Sequence, residues 1–85
     1  SPNFDDYIVC GSDRVYQAPS AGFIVASQNA VGHGINFKIL VGKSPNTLET
    51  IYSDTVYYST YTLPIQKDCY WQVRGYDNVR FVKLK

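Results

Sequence analysis

The stretch Ile35 to Val41, "INFKILV", places Ile35, Phe37, Ile39 and Val41 on one face of an extended chain and Asn36, Lys38 and Leu40 on the other. Side chains of a strand alternate between faces, so this is the reading of a strand with one buried side. Its neighbours repeat the pattern. Trp71 and Val73 alternate with Tyr70, Gln72 and Arg74, and Val79 and Phe81 flank Arg80. Between such segments, turn-forming clusters recur at intervals of roughly eight to twelve residues. They are "GSD" at 11–13, "APSAG" at 18–22, "QNAVGHG" at 28–34, "GKSPN" at 42–46, "SDT" at 53–55, "QKD" at 66–68 and "GYDN" at 75–78. Gly, Pro, Asn, Asp and Ser gather there because they supply positive φ, a fixed φ or side-chain bonds to the backbone. Strand-like pieces at 7–9, 14–17, 23–27, 35–41, 48–52, 56–63, 69–74 and 79–84, with helical signals missing, predict an all-β fold. The expectation is a small antiparallel β-sandwich of about eight short strands.

At 85 residues the chain is one small domain. A domain of this size buries only about 60–65% of its unfolded surface and is marginal unless a disulfide, a metal or a partner subunit helps. Two segments point to a partner. "FIVA" at 23–26 is apolar on both faces, and in "VRFVKLK" at 79–85 Val82 and Leu84 lie opposite Val79 and Phe81. Strands with little polar to show to water, in a domain too small to cover both faces, imply a second covering surface.

A formal charge of +1, with both signs interspersed, gives no basic stripe for nucleic acid. The apolar runs are too short to span a bilayer, so no membrane insertion is expected. No signal segment opens the chain at "SPNF", a start that suggests a fragment or processed domain. Cys10 and Cys69 are read either as two small buried thiols or as a bridge closing a long loop, worth about 4 kcal/mol on the loop-entropy account.

Material for catalysis is scarce. His33 is the only histidine and sits in "GHG", and no paired carboxylates or nucleophile motif accompany it. A non-enzymatic protein with no cofactor and no metal is expected, although three copies of His33 meeting at a symmetry axis would offer an ion site. The Asp residues read as turn formers. The unusual feature is tyrosine, eight residues of the 85. In "VYYSTYT" at 56–62, Tyr57 and Tyr61 share one face and Tyr58 takes the other. Tyr is favoured on recognition surfaces, so Tyr57, Tyr58, Tyr61 and Trp71 are candidates for a subunit interface or a ligand-stacking platform, with ordinary packing the other reading. The polar loops "NAVGHG", "GKSPN" and "YSDT" supply the candidate binding residues Asn29, His33, Lys43, Asn46 and Asp54.

Two phrases carry a resemblance. "VYQAPSAGFIVAS" at 15–27 resembles the Tyr-x-Ala-Pro-Ser-x-Gly opening, followed by an aromatic or aliphatic residue and Val or Ile, of small C-terminal β-domains of bacteriophage tail-fibre and head-fibre proteins. "LPIQKDCYWQVRGYDNVRFVKLK" at 63–85 resembles their ending, a Leu/Val-Pro-Val-Lys-Lys-Gly-Asp turn, a strand, a short polar turn and a last strand closing on Pro-Leu-Lys. The chain departs from the pattern in two places. Lys67-Asp68 lacks the intervening glycine, so the turn before Cys69 is expected to differ, and "FVKLK" lacks the proline, which leaves the last strand its donors for longer. "YDN" is expected to reverse the chain so that the last two strands pair.

The resemblance implies a jelly-roll-like knob at the tip of a virion fibre. Such a knob is a homotrimer that takes part in recognising a host surface receptor, of which a polysaccharide is one candidate. It transfers no binding residue, because the matched phrases are scaffold. The rival expectation is a monomeric carbohydrate-binding or immunoglobulin-like accessory module, secreted or on a cell surface, with Cys10 and Cys69 bridged.

Overall fold

The computed structural model describes residues 2–29, 35–56, 58–76 and 78–84, with side chains over 7–27, 36–55, 60–76 and 78–84. Eight strands follow one another: β1 Pro2–Cys10, β2 Val15–Gln17, β3 Gly22–Asn29, β4 Ile35–Gly42, β5 Glu49–Val56, β6 Tyr58–Ile65, β7 Tyr70–Arg74 and β8 Asn78–Leu84. They form two antiparallel four-stranded sheets, the first in the order β1-β8-β3-β6 and the second in the order β2-β7-β4-β5. Only β4 and β5 follow each other within one sheet; every other step carries the chain across to the opposite sheet. That strand order is the jelly roll, two interleaved Greek keys wrapped into a sandwich. It differs from the immunoglobulin arrangement, in which consecutive strands stay longer in one sheet.

Apolar alternation decides which face each strand turns inward. In the first sheet Ile24 stands opposite Phe81 and Leu63, and Ala26 opposite Val79 and Tyr61. In the second, Ile39 stands opposite Val73 and Tyr52, and Val41 opposite Trp71. These rows meet in one core made by Ile24, Ala26, Val79, Phe81, Ile65 and Cys10 from one side and Phe37, Ile39, Trp71 and Val73 from the other. Each large apolar side chain buried there contributes about 1.5–3 kcal/mol. The sandwich is a slab of 37 × 31 × 17 Å.

The two ends of the slab differ. At the near end β1 begins beside the end of β8, with Pro2 opposite Leu84, and the β2–β3, β4–β5 and β6–β7 connections turn there. At the far end lie the β1–β2, β3–β4, β5–β6 and β7–β8 connections. The two phrases that resemble fibre knobs interlock at the near end, where the Ala18 N–H donates to the Cys69 carbonyl and the Asp68 N–H to the Ala18 carbonyl, both at 2.8 Å. Asp68 holds φ 70°, the left-handed conformation that glycine adopts at least cost. Without the proline, β8 continues to Leu84, whose N–H donates to the Ala21 carbonyl at 3.1 Å.

Three expectations are corrected. The "SDT" segment is no turn: Ser53, Asp54 and Thr55 pair with Lys38, Phe37 and Asn36, and β5 runs on to Val56. The ladder with β4 explains the extension, helped by the Thr55 hydroxyl, which donates across to Asn36 Oδ1 at 2.6 Å, while within β5 Asp54 Oδ1 accepts the Thr55 N–H at 2.7 Å. The last two strands are not a hairpin, since β7 belongs to the second sheet and β8 to the first. Gly75 makes that crossing, at φ 85°, so close to β4 that a Cβ would lie 2.4 Å from the Asn36 carbonyl oxygen. Finally, both cysteines are free thiols. Cys10 pairs with Val79 at the far end, whereas Cys69 precedes β7 at the near end, so the bridge of the rival reading does not form.

Gly75→Ala is therefore expected to lower the stability of the domain by about 2 kcal/mol or more, through left-handed strain and the clash with β4. Chemical denaturation of the variant beside the wild type checks this; equal midpoints would contradict the crossing geometry.

Candidate functional site

The sequence-derived candidates fall into two groups at opposite ends of the slab. Lys43 and Asn46 belong to the β4–β5 turn at the near end. There the Ser44 hydroxyl accepts the Asn46 N–H at 3.3 Å and lies 2.8 Å from the Thr47 hydroxyl, which fixes the turn. Lys43, Val41, Gly42, Thr47 and Glu49 line a shallow depression of about 360 Å³ beside it. Asn29 ends β3 at the far end, opposite Tyr58, the first residue of β6. Asp54 lies at the same end on β5. Strands of this length separate the two ends by about 20–25 Å, so these residues do not form one site. His33 and Tyr57 lie outside the described residues, as do the side chains of Asn29 and Tyr58.

Trp71 is not available as a stacking surface. Alternation on β7 turns it inward, where it is 1% exposed and stacked on Tyr16 with ring centroids 5.0 Å apart. Tyr61 also faces inward from β6, but at the rim of the core. Its ring packs against Tyr52 of β5 at 4.8 Å and Phe37 of β4 at 5.1 Å, with Tyr76 meeting Phe37 edge-on at 4.5 Å. This group shuts the side of the sandwich between β5 and β6. The Tyr52 hydroxyl donates to the Tyr61 hydroxyl oxygen at 2.8 Å and lies 3.2 Å from Asp54 Oδ2. The bond to Tyr61, followed by partial burial and the neighbouring Asp54 carboxylate, holds the Tyr52 phenol well above its ordinary value of 10. The hydroxyls and the carboxylate satisfy one another, so this cluster is a clasp between the sheets more than an open site.

The outer face of the first sheet is where unpartnered surface collects. Cross-strand pairing sets Tyr7, Val82, Phe23 and Pro64 in one row and Val9, Arg80, Val25 and Thr62 in the next. A third row, nearest the far end, holds Asn78, Ser27 and Thr60, with the Ser27 and Thr60 hydroxyls 3.2 Å apart. The near half is apolar, extended by Leu84, which is 42% exposed. The far half is polar. There Tyr7, Val9, Cys10, Ser27, Asn78, Val79 and Arg80 line a depression of about 380 Å³. The Arg80 guanidinium carbon lies 5.3 Å from the centroid of the Tyr7 ring, a cation over an aromatic face. Burial pushes the Cys10 thiol up, which keeps it neutral against the core.

Sequence reasoning did not single out Tyr7, Ser27, Asn78 or Arg80. One signal was present: Arg80 is the lone charge between Val79 and Phe81-Val82, so alternation turns it onto the outer face of a strand with apolar neighbours. What the sequence lacked was the strand order that sets β1 and β3 on either side of it.

Among the described residues no three His, Cys, Asp or Glu side chains gather as a metal-binding group. In comparisons with protein families, with curated proteins and with solved structures, no match to this chain was found.

The clasp yields a prediction with a definite sign. A phenol whose folded value is raised stabilises the fold fully below its unfolded value, near 10, and that stabilisation is lost as pH rises through the folded value. Tyr52 should be the last accessible tyrosine to ionise, and Tyr61→Phe should bring it down toward 10. Phenolate absorbance in an alkaline titration of both proteins measures this; superimposable titrations would show that the hydroxyl pair is not formed.

Proposed function

We propose that this chain is a non-enzymatic attachment domain of a virion fibre, assembled as a homotrimer through the near half of the first sheet's outer face and directed at a receptor on the host surface. The observation that carries this reading is the apolar near half itself. Exposed Tyr7, Pro64 and Leu84 and half-buried Phe23 form an apolar patch across all four strands, around Val82, which is already buried in the single chain. β3 and β8 are interior strands that would ordinarily show polar residues on a solvated face.

The apolar character of the near half favours a second copy as the cover. A standard interface takes roughly 800 Å² from each partner. The near half of a broad face 37 × 31 Å projects to roughly 570 Å², so the contact is a small one on this scale. Among the side chains described, the near half carries no charge. The outer face of the second sheet carries Lys38 and Arg74, which pair in register and repel one another. It is correspondingly less suited to burial. The resemblance to fibre knobs agrees with this choice, and its two phrases form the interlocked near end. A jelly roll is shared by capsid and lectin domains, an analogy of fold that favours an assembling or sugar-binding role without deciding it. In such a trimer the far end is the one turned away from any chain joined at β1.

The test is solution mass by light scattering over a dilution series. Wild type is expected at the mass of three 9.6 kDa chains. The double variant Pro64→Asp, Leu84→Asp is expected to be monomeric at the same thermal midpoint within a few degrees, because both side chains are exposed in the single chain. A wild-type monomer at every concentration would remove the proposal.

A further inference from the structure

We propose that the depression at the far half of the first sheet's outer face binds a carboxylate-bearing saccharide, with Arg80 as the residue that takes the carboxylate. This rests on the attachment reading for its purpose, but its chemistry stands on the site.

The volume of about 380 Å³ lies within the range of small-ligand sites and suits one or two sugar rings. Its lining supplies the three kinds of contact such a ring needs. The guanidinium of Arg80 offers a planar fork for a carboxylate, a bond roughly twice as strong as a neutral one. Asn78 and Ser27 supply an amide and a hydroxyl for ring hydroxyls. Tyr7 and Val9 supply apolar surface for the C–H faces of the ring. Among the described residues no carboxylate lines the depression.

Arg80 is also held in place before any ligand arrives. Directly opposite it on the flanking strands stand Val9 and Val25, neither of which can bond it, and its guanidinium leans over the Tyr7 ring instead. A cation seated on an aromatic ring loses little further freedom when an acceptor binds. A phosphate polymer is disfavoured, because one arginine on a face of otherwise neutral residues offers no run of cations along a backbone. Tyr7 borders both the trimer patch and the depression, whereas Arg80, Ser27 and Asn78 lie in the half that the trimer contact leaves open.

The experiment is an NMR titration of the double variant Pro64→Asp, Leu84→Asp and, separately, of the wild type, with glucuronate, glucose and acetate as probes. Glucuronate is expected to shift the side-chain resonances of Arg80 and Asn78 and to bind at least tenfold more tightly than either glucose or acetate. Arg80→Gln is expected to weaken glucuronate at least tenfold, Asn78→Ala to weaken it severalfold, and Lys43→Gln, at the opposite end, to leave it unchanged. Arg80 is exposed, and an unaltered amide spectrum of its variant shows that the fold is kept. Three results would overturn the proposal: no shift with glucuronate, equal binding of acetate, or undiminished binding by Arg80→Gln. Because the site is read in both the variant and the wild type, a missing trimer and a missing ligand site give different outcomes.

Discussion

The rest of the molecule depends on a single layer of side chains, in which Trp71, Phe37, Ile39 and Val73 of one sheet are pressed against Ile24, Ala26, Val79 and Phe81 of the other. No disulfide or metal-binding group among the described residues reinforces it. Because the chain crosses between sheets at nearly every step, the layer is built from contacts distant in sequence. Loop-closure entropy must be met before those contacts form, which places the domain among slow-folding topologies. The aromatic clasp of Tyr52, Tyr61, Phe37 and Tyr76 then closes the side between β5 and β6, where the edge strands would otherwise leave the layer open.

Sharing out the core in this way has a consequence on the outside. β8 and β3 are the interior strands of the first sheet and supply the inner residues Phe81, Val79, Ile24 and Ala26. On the reverse of the same strands lie Val82, Phe23 and Val25, which are apolar as well, and one cation, Arg80. The second sheet shows Lys38 and Arg74 at the corresponding outer positions of β4 and β7. The two faces of the slab thus differ in chemistry although the sheets are alike in strand number, and the asymmetry gives the molecule one surface suited to burial and one suited to water.

Much of this was legible in the residues. Alternation in "INFKILV" and "CYWQV" identifies the inner faces of β4 and β7, and the two-sided apolar runs of "FIVA" and "VRFVKLK" pick out the interior strands of the first sheet. The reading failed where local chemistry and long-range pairing disagree. Ser53, Asp54 and Thr55 have the composition of a turn, yet a ladder with Lys38, Phe37 and Asn36 and two side-chain bonds hold them extended. Gly75 and the "YDN" that follows look like a hairpin reversal, but positive φ serves equally well to send a chain across a sandwich, and only the strand order decides. Trp71 was read both as core and as a ligand platform; alternation alone favours the core, and the structure agrees. The depression around Arg80 was invisible because its residues come from β1, β3 and β8, which no short-range pattern brings together.

Solvent exposure of the first sheet's outer face tests the account most directly. A soluble paramagnetic reagent broadens the methyl resonances it can reach, and Leu84 and Ile51 are similarly exposed in the single chain, at 42% and 48%. They lie on different sheets, Leu84 in the apolar near half of the first and Ile51 on β5 of the second. If another copy covers the near half, Leu84 will be protected and Ile51 broadened in the same sample at concentrations that support assembly. Equal broadening of the two would mean that the apolar face is open to water and that the account of why it exists is wrong.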